Sequence, residues 1–181
     1  AVAKHGVFFQ LGFMRRFDKA YAAAKKRIDA GEIGTPVVFK SSSKDQLPPP
    51  VEYLRPANSG GLFIDMGIHD FDLARWYMGE AKSAFSVGNN VAFPAIATVG
   101  DVESGLTVLN FASGAIGHIE SSWAFPQGTF RTFVELAGTE GVLVHDSDDV
   151  RALDVRYNRG MEPAAGAPSS APTVSGDDPY L

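Results

Sequence analysis

The sequence predicts an α+β domain carried on an open, largely antiparallel β-sheet with helices on one face. Helix-favouring segments come early, and short alternating segments parted by turn residues fill the second half. A length of 181 residues with 45% hydrophobic content is enough to bury the core of one such unit.

Residues Gly6 to Phe17, rich in Phe and Val and broken by Gly12, read as a buried strand entering a loop. Asp18 is placed as the N-cap of a helix over Lys19 to Ala30, where Ala and Lys favour helix, and Gly31 sits at the left-handed stop. Thr35 to Ser43, with Val37, Val38 and Phe39, reads as a strand. Pro48-Pro49-Pro50 cannot continue it, so Asp45 to Ser59 is expected to be a long polar loop of the kind that forms a functional rim. A second helix is expected from about Gly60 to Met78, stopped by Gly79. Its apolar residues, from Leu62 and Phe63 to Trp76 and Tyr77, cover nearly the whole circumference, which predicts burial.

Strands are expected around Ala84 to Val91, Ala97 to Phe111, Ala115 to Ala124, Phe130 to Gly138, Val142 to Asp146 and Arg151 to Tyr157. The turn signals Ala112-Ser113-Gly114, Gly138-Thr139-Glu140-Gly141 and Ser147-Asp148-Asp149 make them an antiparallel meander. From Gly160 to Asp178 the chain is Pro, Ala, Gly and Ser with little else, a linker composition for which weak order is expected. Both ends read as cut from a longer chain: Ala1 to His5 shows no initiator Met or signal peptide, and apolar residues have only just resumed at Pro179-Tyr180-Leu181.

Composition excludes several function classes. Net charge is -5, from 16 basic and 21 acidic side chains, with no basic cluster beyond Lys25-Lys26-Arg27. Nucleic acid is discounted, because phosphate binding needs a concentrated positive field. No apolar run approaches the roughly 18 residues of a membrane span, so no membrane partner is expected. The absence of cysteine removes disulfides, thiolate nucleophiles and cysteine zinc sites, and fits a reducing cytoplasm.

Asp65 and His69 stand four apart on the second helix, about 40° from each other, and Asp72 falls about 20° to the other side of Asp65. A polar stripe on a buried helix is paired internally, faces a cleft or holds a ligand. One reading is a core network in which Asp65 or Asp72 holds the His69 ring. Another is a neutral imidazole oriented by a carboxylate and suited to taking a proton from an alcohol. The third is a metal, but Asp70 lies farther around the helix, and no metal ligand is assigned.

The stretch from Ser59 to Trp76 resembles the G-G-x-x-x-D-x-x-x-H-D-x-D motif of the glucose-fructose oxidoreductase, inositol dehydrogenase and MocA family. Gly12-Phe13-Met14-Arg15-Arg16-Phe17-Asp18 is similar to the same family's strand leading out of the nucleotide-binding domain. The Ser43-Lys44-Asp45 loop with its Pro run is similar to the myo-inositol 2-dehydrogenase branch.

The resemblance implies hydride transfer between NAD or NADP and a secondary alcohol of a sugar or cyclitol, with His69 as proton acceptor and Asp65 as its orienting partner. It also implies three regions. Residues 1–17 are an exit strand from a dinucleotide-binding domain, 18–158 a substrate-binding and oligomerisation domain, and 159–181 a truncated flexible segment. None of the 19 glycines forms a G-x-G-x-x-G turn, so no cofactor-binding residue is assigned and the isolated chain is expected to be inactive. The alternative is a non-catalytic binding or assembly module of the same shape. A concave pocket joining His69, Asp65 and Asp45 favours the first reading, and a sealed His69 favours the second.

By the resemblance, Asp45 is placed near the substrate hydroxyls. Phe130 and Arg131 are placed in the pocket, where inositol dehydrogenases often carry a Tyr-Gly-Tyr-Asp type of run and this sequence has Gln127-Gly128-Thr129-Phe130-Arg131. A surface ion pair is expected for at least one of Arg15 and Arg16, and His118 and His145 are expected at the surface or an interface. Val108, Asn110, Ile116, His118, Glu120 and Ser122 are expected on the outer sheet face, through which a homodimer or homotetramer would form.

Overall fold

A computed structural model describes residues 2–125, 130–148 and 154–157. The expected linker segment and residues Gln127 to Thr129 lie outside the described residues. One turn of helix, α1 (Val2–His5), and a 3₁₀ turn, Met14–Arg16, precede α2 (Lys19–Asp29) and β1 (Pro36–Lys44). Short helices α3 (Val51–Leu54), α4 (Pro56–Ser59) and α5 (Leu62–Asp65) lead to α6 (Ile68–Met78). Then come β2 (Ala81–Asn89), a 3₁₀ turn at Pro94–Val99, β3 (Ser104–Phe111), β4 (Ile116–Ser122), β5 (Arg131–Gly138), β6 (Gly141–Asp146) and β7 (Asp154–Tyr157).

The seven strands form one sheet in the order β2-β3-β4-β1-β5-β6-β7. Each half is the expected antiparallel meander. Between them lies β1, antiparallel to β5 but parallel to β4, with Ser43 opposite Ser121. That insertion is a long-range pairing for which local turn signals carry no information.

Helices α2 and α6 cover one face. Tyr21, Leu73 and Tyr77 pack there on Phe39, Phe111 and Ile119. Asp18 caps α2 as expected, its carboxylate accepting from the backbone N–H groups of Ala20 and Tyr21. A second, smaller core of Leu54, Leu62, Met66, Ile96 and Trp123 lies near the end of the sheet.

The strand expected from Ala97 starts only at Ser104, after the 3₁₀ turn, and two further expected elements differ. Residues 7–13 carry no strand, and Phe8 and Phe9 are 89% and 67% exposed. In the described sheet neither edge strand, β2 or β7, pairs with them, and an extended segment without ladder partners is not a strand. The single helix from Gly60 to Met78 is two helices, broken at Met66-Gly67. There the Gly67 N–H reaches back five residues to the Leu62 carbonyl. A Cβ on Gly67 would stand 2.8 Å from the Phe63 carbonyl oxygen, so only glycine allows the shift. Burial along α6 is as predicted, with Leu73 and Ala74 fully enclosed. The polar loop from Asp45 to Ser59 contains the turns α3 and α4, the latter started by Pro56 and ended by left-handed Gly60.

Candidate active site

Gly61 starts the site. Its backbone, at φ 76° and ψ -179°, is open only to glycine, and it lets the Asp101 carboxylate accept from the Leu62 N–H at 3.0 Å. That anchors α5, which carries Asp65 and Met66 to the rim of a recess. The break at Gly67 then restarts the helix so that His69 faces the same space.

The recess has a volume of about 320 Å³ and is lined by Asp45, Asp65, Met66, His69, Trp123 and Phe130. That is near the small end of the range, roughly 300–1,000 Å³, usual for ligand sites. Asp45 is held at the end of β1, its N–H donating to the Ser122 carbonyl and its own carbonyl accepting from the Phe125 N–H.

His69 is half-buried, and its Nδ1 is enclosed without a hydrogen-bond partner. Burial pushes its pKa below the ordinary imidazole value, and the Arg15 guanidinium adds to the effect; Asp70, Asp65 and Asp72 act against it. The ring is therefore held neutral, the state that accepts a proton. Asp65 lies beside His69 in the recess but accepts its hydrogen bond from Tyr53 Oη at 2.7 Å. That bond raises the Tyr53 phenol pKa, since ionising the phenol would put two anions together.

The expected three-residue stripe does not form. Asp72 is buried against Arg16, which donates two bonds to its carboxylate at 2.8 and 2.7 Å while lying over the Trp76 ring. Among the described residues no group of three metal-ligating side chains comes together. Of the two arginines for which at least one surface ion pair was expected, Arg16 is partly exposed, whereas Arg15 is buried and paired with Asp70 at 2.7 Å. Arg131 is not in the recess. It begins β5 facing the outer side of the sheet, where it bonds Asp146 and lines a shallow depression with Lys40, Lys44 and His118. Phe130, just before the strand, lines the recess, while Arg131 lines the outer depression. Of the expected outer positions, Val108, Asn110, Ile116 and His118 are exposed, whereas Ser122 is buried and bonded to Ser104 Oγ.

Sequence reasoning missed Tyr53, Met66 and Trp123. Trp123 is 5% exposed, and its indole N–H, like His69 Nδ1, has no partner. It ends the β4 run His118-Ile119-Glu120-Ser121-Ser122, where an aromatic after a strand was the available signal. Tyr53 was a lone aromatic in a Pro-rich loop.

Residues 21–144 match the GFO/IDH/MocA C-terminal domain. The chain belongs to that family. It is 48% identical to scyllo-inositol 2-dehydrogenase (NAD(+)) of Bacillus subtilis over 143 residues, 78% of this chain and 41% of that protein. It is 39% identical to myo-inositol 2-dehydrogenase of Thermotoga maritima, covering 84% of this chain and 44% of that protein. Among solved structures, a probable dehydrogenase from Thermotoga maritima superposes with a TM-score of 0.73 at 35% identity, over 86% of this chain and 49% of that one. Scyllo-inositol dehydrogenase from Lactobacillus casei, with bound NAD(H) and scyllo-inositol, gives 0.67 at 34% identity, over 83% and 45%. The chain thus spans less than half the length of these relatives.

Proposed function

We propose that this chain is the substrate-binding half of an NAD- or NADP-dependent oxidoreductase that oxidises a secondary alcohol of a cyclitol or sugar. The observation that carries the reading is the neutral His69 imidazole opening into a polar-rimmed recess with Asp65 and Asp45. Relatives named for scyllo- and myo-inositol support the substrate class. The residues present do not fit the dinucleotide itself. The glycines form no G-x-G-x-x-G turn, and the recess has room for a single ring. The hydride acceptor is therefore placed on a domain outside this chain.

This chain supplies the proton side of the reaction. A ring hydroxyl docks against His69 while its neighbours bond to Asp45 and Asp65. As the carbon gives up its hydride, the hydroxyl proton passes to a ring nitrogen of His69, and the Asp65 charge favours the imidazolium that forms. Met66, Trp123 and Phe130 give the ring apolar walls.

The test is a fusion of a dinucleotide-binding domain ahead of residue 1, assayed with NAD, NADP and a panel of cyclitols and sugars. The fusion is expected to turn over, and His69→Gln to lower kcat by about 10²–10⁴-fold, the usual contribution of a positioned base. Turnover unaffected by His69→Gln would overturn His69 as the proton acceptor, and a fusion with no turnover would favour the non-catalytic reading.

The open sheet face supports a homodimer or homotetramer. Phe85, Val87, Leu106, Val108 and Ile116 are exposed there in cross-strand register, an apolar band that a second copy would cover. A monomer mass by light scattering at high concentration would count against it. No described helix is long and apolar enough to cross a membrane; with the absence of cysteine, a cytoplasmic location is the one we assign.

A further inference from the structure

Asp70 follows His69 in sequence, has no exposed surface and takes no part in the recess. Its Oδ1 accepts from Arg15 Nη1 at 2.7 Å and from Ser41 Oγ, and its Oδ2 accepts from Ser43 Oγ at 2.5 Å. Arg15 is 4% exposed and donates a second bond, from Nη2 to Ser43 Oγ at 2.7 Å. The first turn of α6, the strand β1 and the Met14–Arg16 turn thus meet at one carboxylate. A buried ion pair adds little net stability over apolar packing of the same shape, whereas breaking it is costly. Its effect here is geometric. A helix that starts after a break has lost the register of the preceding turn, and this cluster fixes its rotation.

We propose that Arg15 and Asp70, with Ser41 and Ser43, are positioning residues for His69, fixing the helix rotation that turns the imidazole into the recess and setting the charges that face it. The inference rests on the reading of His69 as proton acceptor. Arg15 from the 3₁₀ turn, Asp65 from α5, and Asp70 and Asp72 from α6 act on the ring electrostatically, and Asp45 at the end of β1 shares its recess. Arg15 opposes the imidazolium and the carboxylates favour it, so changes at Arg15 and Asp70 act in opposite directions.

The experiment is an NMR titration of the four histidines in the full chain, with His69 assigned by its loss in His69→Gln. Asp70→Asn is expected to lower the His69 midpoint further, Arg15→Gln to raise it, and Arg15→Lys to keep it near the parent. His118, on the other sheet face, serves as the unchanged control. Equal or absent shifts in Asp70→Asn and Arg15→Gln overturn the inference. Ser43→Ala carries no charge change and covers the case where a charge variant fails to fold. It is expected to broaden and shift the His69 resonance, and an unchanged ring environment overturns the proposal. Failure of the dehydrogenase reading looks different: the midpoints move as stated, but His69→Gln leaves turnover of the fusion intact.

Discussion

Gly61→Ala perturbs the anchor of the site at a single carbon. The glycine lies at φ 76° and ψ -179°, a region that costs a side-chain-bearing residue on the order of 1–3 kcal/mol. The new Cβ would stand 2.7 Å from Asp101 Oδ1, displacing the carboxylate from the Leu62 N–H and adding about 1 kcal/mol for the lost helix cap. The expected total is about 2–4 kcal/mol, read by urea unfolding followed through tryptophan fluorescence. Asp101→Ala alone should cost about 1 kcal/mol. In that background Gly61→Ala should cost less than in the parent, because the clash and the cap are already gone; the coupling should be about 1 kcal/mol. A Gly61→Ala protein within about 0.5 kcal/mol of the parent would refute this account of the glycine pair, as would full additivity with Asp101→Ala.

Three other perturbations have defined outcomes. Because the His69 pKa is depressed on folding, the unfolded chain binds more protons between that depressed value and the ordinary one of about 6.5. Unfolding free energy should therefore rise with pH through that window and fall as acid is added; His69→Gln should flatten the slope. Leu73→Ala removes a fully enclosed side chain between α6 and the sheet and should cost about 2–5 kcal/mol by denaturant titration. Arg131→Met gives up partly exposed bonds to Asp146 and Asp148 and should cost no more than about 1 kcal/mol. It should leave substrate KM in the fusion unchanged, since Arg131 does not line the recess.

Much of the architecture was legible because it is locally encoded. The Asp18 cap, the Ala-rich α2 and the turn residues between β3 and β4 and between β5 and β6 stand where their chemistry requires. His69, Asp65, Asp45 and Phe130 do share one recess. What escaped depends on contacts distant in sequence. The parallel pairing of β1 with β4 joins residues far apart, and the pairing of Arg15 with Asp70 spans 55 positions. The helix break at Gly67, where the N–H bonds to Leu62 instead of Phe63, moved Asp72 off the expected stripe, because a 3.6-residue period assumes one unbroken register from Asp65 to Asp72. Arg131, placed in the pocket by resemblance, lines the outer depression, because a resemblance fixes positions along a chain and not the sheet face they reach.

Whether His69 meets the substrate is read most plainly by adding scyllo-inositol to the uniformly isotope-labelled chain and mapping which resonances move. The largest shifts are expected at His69, Trp123 and Phe130, with His118 unmoved, and Asp65→Asn should weaken the response. Shifts confined to the outer sheet face, or none at His69 under any cyclitol or sugar tried, would contradict the assignment of this recess.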